Sequence, residues 1–363
     1  MEQKEKIYLN ALNKVSGVGA KTLRTLIDAF GTAEEVWHAS YGALREKGIM
    51  ENVVKNITEA ERTVDPEKEW QILEKEQIDI ISLADENYPP LLKEIPSPPY
   101  LLYTRGESQN FSTPTLAIVG SRKFTSYGKQ ACYSFSRDLA AAGVTIVSGL
   151  AFGIDAIAHR AALDAGGKTI AVLGSSIDDG HITPRSNFFL GHEIMKTGLL
   201  LSEYAPPTSA SEGTFPARNR IMAGLSQGVL VVEAAEKSGS LITANLAVDF
   251  NRDVFAIPGS LLSQQSIGTN TLIKSGAKLV TNANDILEEL HIAKRAQAAR
   301  TITPDSKEEA KIITLLTHAA EPYHIDNIIK DTTLDTTIVT ATISLMEMKG
   351  IVKDMGGQKY ILV

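Results

Sequence analysis

Through the first 65 residues, apolar side chains return every three or four positions: Tyr8, Leu12 and Val15, then Leu23, Leu26, Ile27 and Phe30. That period predicts amphipathic helices, each burying one face. The run Val15-Ser16-Gly17-Val18-Gly19-Ala20-Lys21 breaks the pattern between two of them. Its two glycines permit a close turn and leave the first N–H groups of the second helix uncovered. The layout fits a helix-hairpin-helix holding a phosphate on those amides, and it also fits a plain tight turn in a helical bundle.

Residues 66–111 read as a proline-rich connector packed on the core. Five prolines between Pro89 and Pro99 speak for an extended, irregular path rather than a helix. From about residue 112 to 290 the pattern changes to short apolar runs separated by helical stretches. Strands are expected at Thr115–Val119, Val144–Val147, Thr169–Leu173, Leu199–Leu201, Val229–Val232, Val254–Ile257 and Lys278–Val280, with helices such as Tyr127–Ala142 and Ile154–Asp164 between them. Continuous apolar strands joined through helices predict an α/β fold: an extended, Rossmann-like, mostly parallel sheet covered on both faces. Residues 291–304 are polar and read as a linker. Beyond them, helices at Glu308–Leu316, His324–Lys330 and Leu334–Lys349 precede two apolar runs flanking Gly356-Gly357, which predicts a C-terminal winged helix.

Composition narrows the classes. The 363 residues suit two or three domains, and a single cysteine, Cys132, excludes an internal disulfide framework and a cysteine-rich zinc site. Histidines at 38, 159, 181, 192, 291, 318 and 324 show no metal-ligand spacing, so no metal is expected. The charged N-terminal residues do not resemble a signal peptide, and no long apolar run exists, so a cytoplasmic protein without a membrane span is expected. A net charge of −7 argues against a generally basic coat but is compatible with a local basic groove.

The candidate chemistry lies in the turns at the strand ends. Gly120-Ser121-Arg122-Lys123 comes after the first strand, and Ser148-Gly149-Leu150-Ala151-Phe152-Gly153 leads into Ile154-Asp155 after the second. Gly174 comes after the third and Ser238-Gly239-Ser240 after the fifth. Small residues there let a backbone approach a ligand, and the next helix presents free N–H groups, so several such turns on one rim predict a phosphate-binding edge. Neither a G-x-G-x-x-G pattern nor a P-loop is present, so no dinucleotide cofactor or ATPase is expected. In Phe215-Pro216-Ala217-Arg218-Asn219-Arg220 the two arginines point in different directions on a helix. One is expected to face the ligand and the other to make a structural ion pair. Arg185, Asn187, Phe188 and Phe189 set a cation beside aromatics, which suits unstacked bases, although one phenylalanine is expected in the core. Glu203, Glu233 and His159 stand where a general base would, and also where capping residues do.

Together these motifs, with Asp253-Val254-Phe255-Ala256-Ile257-Pro258-Gly259-Ser260 and Gly268-Thr269-Asn270-Thr271-Leu272-Ile273, resemble the DprA/Smf family over about residues 80–290. The resemblance implies a non-enzymatic protein of natural transformation that binds and protects single-stranded DNA and loads a RecA-type recombinase. It implies phosphate contacts at Arg122 and Arg185, stacking at Phe188, and a homodimer through Leu272–Val280, including Ile273 and Leu279. Relatives carry an aromatic residue where this chain has Thr183. The alternative is a Rossmann-type nucleotide or nucleoside phosphoribohydrolase, whose glycine-rich P-G-G-x-G-T loop is missing. In the winged helix, six lysines and no arginine face nine acidic residues, a net charge of −3, so a protein-contact or regulatory module is expected there rather than a groove binder.

Overall fold

A strand buried on both faces is stable only inside a covered sheet, and the short apolar runs of this chain meet that condition by pairing with one another. The computed structural model describes residues 2–107, 111, 113–293, 304–317, 319 and 321–362. The strands of the sheet are β1 (Asp79–Ser82), β2 (Leu101–Gly106), β3 (Thr115–Val119), β4 (Thr145–Ser148), β5 (Thr169–Val172), β6 (Leu199–Ser202), β7 (Gly228–Val231), β8 (Asp253–Ala256) and β9 (Lys278–Leu279). Their order across the sheet is β1-β2-β6-β5-β4-β3-β7-β8-β9. From β6 to β9 all neighbours are parallel, whereas β1 and β2 are antiparallel to each other and β2 is antiparallel to β6. The mostly parallel, Rossmann-like reading holds.

The two antiparallel strands correct the connector reading of residues 66–111. Residues 79–82 and 101–106 extend the sheet, and the Ile80, Ile81, Leu102 and Tyr103 side chains are buried in it. The prolines also allow a one-turn helix. Pro90 opens it at the first helical position, where a missing N–H costs nothing.

Ahead of the sheet stand α1 (Gln3–Asn13), α2 (Ala20–Phe30), α3 (Ala33–Trp37), α4 (Tyr41–Glu46), α5 (Glu51–Thr63) and α6 (Pro66–Lys75). Asp65 caps α6 by accepting from the Glu67 and Lys68 N–H groups, and Pro66 comes next. These helices share one apolar core with the sheet: Leu9, Leu12, Leu23, Trp37 and Leu73 pack in the same cluster as Leu101, Tyr103, Leu173 and Leu200. The change of periodicity near residue 65 is therefore not a structural boundary.

Within the sheet region run α7 (Pro90–Lys93), α8 (Ser126–Ala141), α9 (Ile154–Asp164), α10 (Phe188–Met195), α11 (Thr214–Leu225), α12 (Gly239–Asp249), α13 (Ile267–Lys274) and α14 (Ala283–Glu289). Two apolar clusters, one on each face of the sheet, seat most of them, and α10 packs through Leu190 and Ile194 into the cluster shared with the N-terminal helices.

The chain divides into Met1–Arg295 and Ala296–Val363. Most of the linker expected at 291–304 lies outside the described residues. The second unit holds α15 (Lys307–Thr317), β10 (Tyr323–His324), α16 (Ile325–Thr332), α17 (Thr336–Met348), β11 (Val352–Asp354) and β12 (Lys359–Leu362). Three helices around Ile312, Ile328, Val339, Ile343 and Met346, with a sheet in the order β10-β12-β11, make a winged helix. The two-residue β10 had no signal in the sequence, being too short for alternation to register.

Candidate functional site

In a parallel sheet the C-terminal strand ends face one way, and a crevice opens where successive connections depart in opposite directions. Here β3 is that point: the chain runs from it through β4, β5 and β6 on one side, then returns to place β7, β8 and β9 on the other. A cavity of about 560 Å³ occupies the crevice, walled by the turns after β3, β4 and β7 and by α11 and the start of α12. A smaller hollow of about 90 Å³ shares Arg122, Ala151, Phe215 and Arg218 with it and continues to Phe152 and Gly174 at the end of β5.

The turn after β3 is built by Ser121. Its hydroxyl accepts from the Lys123 N–H at 3.0 Å and donates to the Lys123 carbonyl at 2.9 Å. That closure leaves Arg122 and Lys123 exposed at the tip, with Gly120 beneath them in the cavity wall. The Arg122 guanidinium stands 5.6 Å from the centroid of the Phe215 ring, a cation–π placement that holds it over the opening. Behind the turn, Glu233 accepts from the N–H and hydroxyl of Thr125, the residue that caps α8, at 2.9 and 2.6 Å. Glu233 is 2% exposed and carries out a structural task there.

Beneath the cavity floor lie two buried opposite charges, Arg218 and Asp155, which act on each other without direct contact. Arg218 is 4% exposed and donates to the Val172 carbonyl at 2.7 Å. Burial pulls its guanidinium down from its ordinary range, while the charge of Asp155 opposes the shift. Asp155 is pushed up by burial and held back by Arg218. The loop after β4 fits around this pair. A Cβ at Gly149 would meet Arg218 Nη1 at 1.6 Å, so only glycine leaves room for the guanidinium. Gly153 has φ +81°, and a Cβ there would sit 2.5 Å from the Ser121 carbonyl oxygen, so the β3 and β4 turns touch through bare backbone.

Between them, Leu150 adopts φ 54°, a rare conformation for a branched residue. Its N–H donates to His159 Nε2 at 3.3 Å, which puts the ring proton on Nδ1, 2.7 Å from Thr169 Oγ1. Asn187 donates to the carbonyls of Leu150 and Ala151 at 2.9 and 3.2 Å. Burial drives His159 down to about 3, so the ring is neutral and serves as a strut for the strained loop.

The structure thus brings Gly120, Ser121, Arg122, Lys123, Gly149, Phe152, Gly174, Arg218, Asn219, Ser238, Gly239 and Ser240 to one crevice. Asn219 reaches the Gly239 carbonyl at 3.5 Å, and Ser238, which caps α12, lines the opening with Gly239 and Ser240. Other expected residues are placed elsewhere. Ser148 is buried and donates to the Ile118 carbonyl, supporting the sheet. Arg220 pairs with Glu203 and donates to the Ser97 carbonyl in a separate cavity of about 470 Å³, beside the α1–α2 turn. In that cavity Lys14 is likewise tied, to Glu69. Of the two arginines of α11, Arg218 lies buried at the crevice floor and Arg220 makes the ion pair with Glu203. Burial raises Glu203, and Arg220 opposes that shift.

Arg185 lies on the Phe188 ring at 3.9 Å and donates to the Asp179 carbonyl at 2.7 Å, just outside the smaller hollow. Phe188 packs against the core beneath it, and Phe189 is the outward aromatic at 77% exposed. A base stacking in this segment would meet Phe189 rather than Phe188, whose ring is already covered by Arg185. Phe215, Thr243 and Gln265, which also line the crevice, were not singled out from the sequence. Phe215 stood within a recognised motif, but its partnership with Arg122 spans nearly a hundred residues and leaves no local mark.

The arrangement offers exposed cations, small side chains and the start of α12 along one rim, a surface suited to phosphate groups in a row. Among the described residues, no helix is long and apolar enough to cross a membrane.

Residues 79–291 match the family described as DNA recombination-mediator protein A, and residues 296–358 match the DprA winged helix domain. The chain is similar to Protein Smf of Synechocystis sp., with 36% identity over 99% of each chain. It is also similar to DNA processing protein DprA of Bacillus subtilis, with 44% identity over 59% of this chain and 71% of that protein. Among solved structures, DNA processing protein A of Streptococcus pneumoniae aligns with a TM-score of 0.66 at 37% identity, covering 79% of this chain and 98% of that one. The Helicobacter pylori protein, whose structure is described as showing a single-stranded DNA binding mode, aligns with a TM-score of 0.54 at 36% identity. It covers 59% of this chain and 96% of that one.

Proposed function

The chain belongs to the DNA recombination-mediator protein A family, known also as DprA/Smf, and on that premise we propose that it binds single-stranded DNA along the strand-end crevice. The observation that carries the reading is the crevice tip, where Arg122 and Lys123 stand exposed above an opening lined by small residues and the start of α12, with no carboxylate in ion-pair reach of either among the described residues. Such a surface reads backbone phosphates and base faces rather than base edges, so binding is sequence-tolerant. Membership of the family supports the further steps: the DNA is incoming DNA of natural transformation, it is protected in the cytoplasm, and a RecA-type recombinase is loaded onto it.

The reading is non-enzymatic. The three groups that a nucleotide hydrolase would call upon are committed elsewhere: Glu203 to Arg220, Glu233 to the cap of α8, and His159 to the loop after β4. A gel shift comparing single-stranded with duplex DNA across a salt series tests the proposal. Single strands are expected to bind more tightly, with a steep salt slope, and equal affinity for duplex overturns the reading. Release of free base from nucleoside monophosphates would restore the hydrolase alternative.

Dimerisation belongs to the same proposal. Strand β9 lies at the end of the sheet with one edge unpaired, and Leu279 on it is half exposed. Glutamates at Ile273 and Leu279 together are expected to produce monomers in light scattering, and a dimer that survives both moves the interface elsewhere.

A further inference from the structure

Helix α17 carries two apolar stripes, and the core of its unit uses only one. Val339, Ile343 and Met346 are buried, in one cluster with Ile312, Ile328 and Val352. Ile338, Ala341, Leu345 and Met348 form the second stripe, at spacings of three, four and three, and all four are exposed. Ile338, Leu345 and Met348 leave 44%, 55% and 85% of their surface uncovered. A surface helix ordinarily turns polar residues outward. A three-four-three repeat on the outward face is instead the narrow seam by which one helix packs along another.

The electrostatics of the seam decide what packs there. In a winged helix that reads duplex DNA this is the helix that enters the major groove, with cations reaching phosphates. Here the cation at its end, Lys349, is held by Asp305 at 2.8 Å and Glu309 at 3.0 Å. Asp335 and Glu347, at either end of the helix, are exposed. Residues 305–363 carry a net charge of −3. An aliphatic seam in an acidic field repels a phosphate backbone and complements an apolar ridge with basic flanks.

We propose that the outward face of α17 docks an amphipathic helix of another protein, aliphatic at its a and d positions and rich in Lys or Arg beside them. A second copy of this chain is a poor occupant, since it would bring the same negative charge to face itself. Four side chains along one helix also fall far short of the about 20–30 residues a side of a stable interface, so the contact is a transient one.

The test uses the full-length protein and two labelled synthetic helices with leucine at every a and d position, one with lysine at e and g and the other with glutamate there. Fluorescence anisotropy is expected to show saturable binding of the lysine helix and at least about tenfold weaker binding of the glutamate helix. Leu345→Glu is expected to weaken the lysine helix by about tenfold or more, with an unchanged melting curve because the side chain is half exposed. Ala341→Glu, which puts a carboxylate mid-seam without removing a buried atom, must act in the same direction. Absence of saturable binding, or equal binding by both variants and the wild type, overturns the proposal. So does a wild-type self-association that Leu345→Glu abolishes without affecting the probe, which would give the seam to a second copy. A loss of duplex DNA binding in Leu345→Glu, with the probe unaffected, would return the helix to a DNA groove and overturn the proposal as well.

Discussion

At the crevice of the α/β sheet, Arg122 and Lys123 project from a turn with no ion-paired carboxylate among the described residues, and small side chains line the opening around them. On α17 of the winged helix, the position that fold usually gives to cations holds Ile338, Leu345 and Met348, and the cation nearby is locked between two carboxylates. The first surface belongs to a fold with a net-acidic sequence around it, the second to a fold associated with DNA reading. Neither fold class nor total charge predicts which of them suits nucleic acid. What separates them is whether a cation is left free once the fold has satisfied its own carboxylates, a property of sites rather than of architectures.

The largest effect that would break this contrast concerns Arg218. Arg218→Ala removes a buried cation and takes from Asp155 the largest opposing charge near it, and is expected to cost about 3 kcal/mol or more in urea unfolding of the sheet unit. A variant as stable as wild type would mean that the crevice floor is not organised by this pair.

The next effect in size is read from a pH series. His159 is held near about 3 when folded, below an ordinary value of 6.5, so the unfolded chain binds the extra proton in between. Stability from this group is present above about pH 6.5 and is lost as pH falls toward about 3, by up to about 1.4 kcal/mol per pH unit. Asp155, raised by burial, contributes with the opposite sign. The informative quantity is therefore the difference between wild type and His159→Gln, which is expected to show a flatter profile between about pH 7 and 5. Parallel profiles would remove His159 from its place under the loop.

Arg122→Ala is expected to act on DNA alone. Losing one phosphate contact lowers the salt slope for single strands by about 0.7 and leaves unfolding unchanged, because the side chain is exposed and unbridged. Unaltered binding at every salt concentration would sink the assignment of the tip.

The smallest effect is expected from the other side of the contrast. Truncation after Arg300 removes the winged helix and should leave single-strand affinity within about threefold, roughly 0.6 kcal/mol. A tenfold loss or more, with the oligomeric state intact, would show that the acidic module binds DNA after all.

Much of this molecule is legible along the chain, for reasons that are local. The strands β3 to β7, from Thr115 to Val231, are buried on both faces and so read as apolar runs. The α8, α12 and α17 starts announce themselves through Thr125, Ser238 and Asp335, whose side chains cap the first turn wherever those helices pack. The glycine-bearing turns after β3, β4, β5 and β7 are visible for the same reason, and the parallel sheet needs only its topology to gather them. The net charge of −3 on residues 305–363 is likewise a count, independent of fold.

Tertiary structure alone decided the rest. Whether Arg218 or Arg220 faces the crevice depends on where Asp155 and Glu203 arrive, 63 and 17 residues away in sequence, and no local pattern encodes those meetings. Phe188 and Phe189 are adjacent and chemically identical. Only the packing of α10 against the sheet buries one beneath Arg185 and leaves the other in solvent. β1 and β2 escaped notice among prolines because an edge hairpin draws its stability from the β6 strand it joins, not from a period of its own. Propensity and charge act over a few residues and are written in the sequence, whereas burial and ion pairing are settled by which distant groups the folded chain brings within a few ångströms.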